Sequence, residues 1–237
     1  MIAFLTIVGA VVLAGVSAWT LSSDTPRRAA LTASGVALTW VAAWSVLALA
    51  DVWREPPPEG FPPRIVLFFG GANLGAIAFG LSPWGRRLAL RTSFAGLVAF
   101  HVFRLPLEWV LHAWGEQGAI PMAMTWEGRN FDVITGVLAL ALGLWSLRAP
   151  ISRAALWGFQ LVGFALLVNV GITALTSVPG PFYDPARIPP LLIGFDFPTT
   201  LIVPVCVAGA LAGHLILFRA LAAAHRGERP WPGATRP

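Results

Sequence analysis

The stretch His101-Val102-Phe103-Arg104-Leu105-Pro106-Leu107-Glu108-Trp109-Val110-Leu111-His112 decides how the chain folds. With its flanks it is apolar and long enough to cross a bilayer, yet it carries two histidines, an arginine and a glutamate. At about 100° per residue these four side chains fall within roughly 80° of one helix face. A charge at bilayer depth costs at least ~2.5–3.5 kcal/mol, so such a stripe has to face protein or water rather than lipid. The rest of the chain has to supply the helices that hide it.

Of 237 residues, 57% are hydrophobic and only 11% charged, whereas a soluble domain carries nearer ~25% charged residues. Seven apolar runs can be marked, at about 2–21, 29–50, 65–81, 92–112, 131–147, 154–176 and 199–222. They are continuous and rich in Ala, Leu and Val, unlike the short alternating segments of a transmembrane barrel. The expected fold class is therefore all-α: an integral membrane bundle of seven transmembrane helices in a single domain over 1–222, followed by a disordered basic tail over 223–237. No basic residue precedes the first run, since the first arginine is Arg27, so that run reads as an uncleaved span rather than a signal peptide.

All sixteen cations are arginine and there is no lysine. A retinal Schiff base needs a lysine amine, so a retinal photoreceptor is excluded despite the helix count. The sequence pI of 11.2 reflects topology and does not point to nucleic acid. Eleven arginines fall in one set of loops and the tail: Arg27, Arg28, Arg86, Arg87, Arg91, Arg148, Arg153, Arg219, Arg226, Arg229 and Arg236. The opposite loops hold Arg54, Arg64, Arg129 and Arg187. The positive-inside rule then places the N-terminus outside and the C-terminus in the cytoplasm, with a bacterial cytoplasmic membrane as the expected location. Twelve of the 20 prolines lie in the outer loops, mostly at 51–64 and 177–198, and read as a semi-rigid cover. Tryptophans at the run ends, Trp114 among them, read as an interfacial belt. Cys206 is the lone cysteine, which leaves it a small core hydrophobe and rules out an intrachain disulfide.

Arg104 and Glu108, four residues apart, are placed to pair along their helix. Pro106 between them removes the donor for the Val102 carbonyl and predicts a kink. Next comes Met124-Thr125-Trp126-Glu127-Gly128-Arg129-Asn130-Phe131-Asp132 at the outer mouth. There Asn130 reads as a helix N-cap and Asp132 as a carboxylate favoured by the helix dipole. Arg104 and Arg129 thus gather against Glu108, Glu127 and Asp132, and the carboxylate left over must hold a proton or a cation. Glu108, Glu127 and Asp132 are the candidate catalytic groups; Arg104, Arg129 and His112 are the candidate binding groups, though His112 alone also suits a headgroup contact. His101 and His214 come to similar depth from opposite directions and are candidate ligands for haem iron or another metal. The plainer reading gives each a single hydrogen bond, with Asn73 or Asn169 as partner. Which cofactor the chain carries, if any, is not legible.

Phe103-Arg104-Leu105-Pro106-Leu107-Glu108 and the segment from Met124 to Asp132 resemble an F-R-x-x-x-E … M-T-F-E-G-R-N-F-D pattern in a group of bacterial multi-pass membrane proteins of no established activity. Phe197-Pro198, Pro204 and His214 are similar to that group's final span, and Trp126 stands where phenylalanine is usual. The resemblance implies seven spans and emphasises these residues without implying an activity. The functional expectation is an outward-facing ionisable site that binds or acts on a small molecule, lipid or ion. The alternatives are a proton- or ion-coupled transporter, and a non-catalytic sensor or assembly protein whose ion pairs are structural. The lipid bilayer is the one partner composition requires.

Overall fold

The computed structural model describes residues 1–53, 64–179, 182–183 and 188–233, and among them there is no β-strand. The outer proline-rich stretches lie largely outside the described residues, as do Arg54, Arg187 and Arg236. The chain runs through α1 (Ile2–Leu21), α2 (Pro26–Leu49), α3 (Arg64–Leu81), α4 (Pro83–Arg91), α5 (Phe94–Ala99), α6 (Arg104–Glu116), α7 (Val133–Trp145), α8 (Arg153–Ser177) and α9 (Ala208–His225). A tight 3-10 turn at Phe100–Phe103 joins α5 to α6, and a wide π-helical turn at Ile202–Val207 leads into α9.

All seven apolar runs are helical over most of their length, but they are not seven full-length spans by size. Five helical stretches are long and apolar enough to cross a membrane: Ile2–Leu21, Pro26–Leu49, Phe94–Glu116, Arg153–Ser177 and Thr199–His225. Counting α3 with α4, which bend by 60° across Ser82, makes six. The break has a local cause. Pro83 opens α4 and the Ser82 hydroxyl accepts from the amides of Trp84 and Gly85, so the chain restarts a helix instead of looping. The run expected at 131–147 yields only the 13-residue α7, about 20 Å long against the ~30 Å of a hydrocarbon core.

Ahead of α7 the chain forms a folded loop. A 3-10 turn at Met122–Met124 is followed by turns in which the amides of Arg129 and Asn130 donate to the carbonyls of Ala123 (3.0 Å) and Thr125 (3.1 Å). Met124, Thr125, Asn130 and Asp132 are buried. Irregular backbone at membrane depth is tolerated where protein surrounds it and its polar groups bond internally. Gly128 is needed here, because a Cβ would lie 2.2 Å from the Met122 carbonyl oxygen.

The helical stretches that carry Arg104, Glu108 and His214 are both interrupted at a proline. Pro106 cannot donate to the Val102 carbonyl, and the backbone tightens into the 3-10 turn just before it. Pro204 sits inside the π-helical turn, and its own carbonyl accepts from the Trp40 indole at 2.9 Å. Small residues permit the close helix approaches expected of them. A Cβ at Gly75 would meet the Trp40 ring at 2.7 Å, and one at Gly213 the His101 ring at 2.9 Å.

Buried apolar side chains form two clusters. One, including Phe4, Trp44, Phe68, Leu107, Trp114, Phe195 and Cys206, lies toward the end that carries the 117–132 loop. Trp114 therefore belongs to the core and not to an interfacial belt. The other, including Leu88, Phe94, Phe159, Leu217 and Leu221, lies toward the arginine-rich end. By contrast α2 buries only Ala29, Trp44 and Ala48, leaving an apolar surface suited to lipid.

The stretch from 223, which composition assigns to a loose tail, is helical to His225 and then folds back. Trp231 stacks on Phe94 at 5.9 Å and lies under the Arg153 guanidinium, while Arg229 covers the other aromatic neighbour, Phe94, and donates to the carbonyls of Ala89 and Thr92. Aromatic stacking and guanidinium forks anchor this segment in spite of its Pro-Gly-Arg composition. At the same end Arg91 donates to Asp24 at 2.6 Å, which holds that carboxyl below the usual carboxylate range.

Candidate functional site

Four elements bring a chain of buried polar side chains together. From α6 come Arg104 and Glu108, from the loop Asn130 and Asp132, from α9 His214, and from α8 Gln160, all buried. Arg104 Nε lies 2.6 Å from Asp132 Oδ2, and the Thr135 hydroxyl donates to the other oxygen, Oδ1, at 2.9 Å. Asn130 Nδ2 donates to both oxygens of Glu108, at 2.9 and 2.8 Å, and to the Met124 carbonyl at 3.1 Å. The carbonyl of the same Asn130 amide accepts from the Asp132 backbone N–H at 3.1 Å. Asn130 thus ties the Glu108 carboxylate to the backbone of Asp132 in place of a simple cap.

On the other side of Arg104, Nη1 donates to His214 Nε2 at 3.1 Å. Because that nitrogen must then offer its lone pair, the proton of a neutral His214 sits on Nδ1, which lies 3.2 Å from Gln160 Oε1 and donates to it. His101 packs against His214 with ring centroids 4.2 Å apart and planes tilted by 37°, between Phe100 and Phe159 where the two apolar clusters meet. Both His101 ring nitrogens lack a partner among the described residues, and so does Arg104 Nη2.

The close approach of α7 to α6 makes this geometry possible. A Cβ on Gly136 would lie 2.5 Å from the Leu105 backbone nitrogen and 2.8 Å from its Cα. Backbone cannot step aside as a side chain can, so Gly136→Ala should separate the helices and stretch the Arg104–Asp132 contact. The expected cost is about 1–3 kcal/mol, read as a lowered midpoint of thermal unfolding in detergent. An unchanged midpoint would show that the helices tolerate the methyl group.

The sequence candidates divide cleanly. Arg104, Glu108, Asp132, His101 and His214 come together. Glu127 and Arg129 are exposed, and Arg129 contributes only its carbonyl, which accepts from Asn169 Nδ2 at 2.5 Å. His112 stacks on Trp126 and lies 3.7 Å from Glu116 and 3.8 Å from Glu127, at the rim. The expected pairing of Arg104 with Glu108 is replaced by pairing with Asp132. Asn73 and Asn169 do not serve the histidines, since Asn73 donates to the Phe69 carbonyl in its own helix. Gln160 and Thr135 were not singled out in the sequence. An amide in the middle of the apolar run of α8 was a usable signal for Gln160, whereas nothing marked Thr135.

Metal ligation finds little support in this donor set. Both ring nitrogens of His214 are already engaged, one of them by a guanidinium, so neither offers a free lone pair to a cation. Among the described residues no group of three or more His, Cys, Asp or Glu is arranged to hold a metal ion.

Above the polar chain runs a narrow cavity with about 70 Å³ of free space. Arg104, Glu108 and Asp132 are among its lining residues, and its walls are otherwise mostly apolar, including Phe68, Trp114, Phe195 and Cys206. The charge inside is unbalanced: one guanidinium faces two carboxyl groups, and among the described residues Glu108 has only the Asn130 amide as its hydrogen-bonding partner. A slot of this kind suits an elongated apolar group ending in a polar head. No protein-family model matches the chain, and neither a curated protein nor a solved structure matches it.

Proposed function

We propose that the chain is a seven-span bacterial inner-membrane protein, N-terminus outside, whose outward pocket binds a small amphiphilic molecule by its polar head. Arg104 donates from Nη2 to a carbonyl or anionic oxygen of that head, and Glu108 exchanges a proton with it or balances its charge. Asp132 orients the guanidinium, and His112, Glu127 and Arg129 stand at the entrance. The observation that carries this reading is the buried Arg104, whose Nη2 has no partner among the described residues, in the lining of a mostly apolar cavity beside Glu108, which has no ion pair among them. A purely structural ion pair requires neither feature.

Seven crossings are supported by the helicity of all seven apolar runs, with α7 and the loop ahead of it making up the fifth. Kinship with the F-R-x-x-x-E group belongs to the same proposal, and so does the outward orientation, which rests on arginine distribution. Transport is the weaker reading, because the apolar cluster around Leu97, Phe159 and Leu217 closes the arginine-rich half below the histidines.

Native mass spectrometry of the purified protein, paired with an absorbance scan, tests the proposal. The expected result is a co-purified amphiphile that dissociates when the protein is unfolded, with no metal or haem signature. Protein that is bare from several detergents, and that takes up no extracted membrane lipid, would overturn it.

A further inference from the structure

Several arginines at the arginine-rich end are committed to holding the fold together. Arg87 donates through Nε and Nη2 to the Ser22 carbonyl, at 3.0 and 2.9 Å, and lies over the Trp19 ring. Arg91 takes Asp24 and the same carbonyl, and Arg229 and Arg153 clamp the returning tail. Arg86, Arg219 and Arg226 are used differently. They converge with Glu228 on a second cavity, between α4 and α9, that holds about 250 Å³ of free space. Leu90 and Phe218 form part of its wall, and Phe218 is half-exposed.

The charges there do not cancel. Glu228 meets Arg226 at 2.5 Å and Arg86 at 3.4 Å. Arg219 has no acidic partner among the described residues. Its Nη1 is fixed by the carbonyls of Gly80 and Ser82, at 2.6 and 2.8 Å, which sets the position of the guanidinium and leaves Nε and Nη2 unengaged. Three cations around one carboxylate leave an excess of two positive charges in a concave site. Arginines dispersed for topology alone would face water separately, and would not share a cavity with an apolar wall.

We propose that this cavity binds the phosphate of an anionic phospholipid. The planar guanidinium forks match phosphate oxygens, and Arg219 is already oriented to use its free edge. Phe218 and Leu90 lie where an acyl chain leaving that phosphate would run. The site is independent of the pocket beside Arg104, and either can fail without the other.

The test uses the full chain in detergent, titrated with phosphatidylglycerol, phosphatidylcholine or inorganic phosphate and followed by native mass spectrometry and thermal unfolding. Phosphatidylglycerol should bind and raise the unfolding midpoint, and phosphatidylcholine should not. The double variant Arg86→Gln/Arg226→Gln should bind phosphatidylglycerol about thirty-fold more weakly, roughly fivefold for each arginine removed. Those two side chains are well exposed, so the variant should fold. Arg27→Gln/Arg28→Gln removes the same charge from exposed residues that do not line the cavity, and should change binding by less than about twofold. If inorganic phosphate binds and displaces the lipid, the phosphate site stands and the wall contributes little. Equal binding of phosphatidylcholine, or equal loss in both double variants, would overturn the proposal.

Discussion

Arg104→Met should be among the most destabilising single substitutions in this chain, costing about 3–5 kcal/mol. Arg104 is fully enclosed and serves two neighbours through separate nitrogens, Asp132 through Nε and His214 through Nη1. Methionine fills much of the volume but donates nothing. Asp132 would then keep a buried charge with only the Thr135 hydroxyl and the local backbone to stabilise it. His214 Nε2 would lose its donor as well. Most of the cost comes from the charge left behind, so the double variant Arg104→Met/Asp132→Asn should recover at least about half of the lost stability. Thermal unfolding and size-exclusion profiles of wild type, Arg104→Met, Asp132→Asn and the double variant would measure this. A single variant as stable as the wild type would show that Arg104 and Asp132 are not paired in the folded protein.

The second large effect concerns binding. Glu108→Gln should leave the fold within about 1 kcal/mol of wild type, because the replacement keeps the shape and still offers Asn130 an acceptor oxygen. It removes the ability to ionise and to exchange a proton, and should lower retention of the co-purified amphiphile by roughly ten- to hundredfold. Glu127→Gln and Arg129→Gln, on exposed rim residues, should change retention by less than about twofold. Ligand content per folded protein, measured by mass spectrometry, distinguishes these outcomes. Full retention in Glu108→Gln would remove the carboxyl from the site, and equal losses in all three variants would point to a diffuse surface effect.

Two mispairings show where reading from sequence stops. Spacing placed Glu108 beside Arg104 on one helix face, and both residues are indeed buried on the inner side of α6. The partner of Arg104 is nonetheless Asp132, 28 positions further along. That choice depends on Gly136, which lets α7 press its backbone against Leu105 and brings the start of α7 within reach of the guanidinium. Glu127, Arg129, Asn130 and Asp132 looked alike as a polar cluster before an apolar run. The turns at Gly128 send the first two outward and the last two inward, and hydrogen bonds between Arg129, Asn130, Ala123 and Thr125 hold that arrangement.

The amino-acid pattern alone determined that the chain is helical and lipid-compatible, because apolar runs of such length leave a backbone no other way to satisfy its hydrogen bonds. It also determined that the stripe from His101 to Glu108 must turn inward, because charge is too costly in hydrocarbon, and that Pro106 breaks the ladder within it. Only the tertiary structure decided which charge meets which, that the fifth run is a short helix with a folded loop ahead of it, and that the two histidines pack ring against ring. Those outcomes depend on distances between helices, which are set by where glycine removes a Cβ and where a turn reverses the chain. No periodicity along one segment encodes its distance from another.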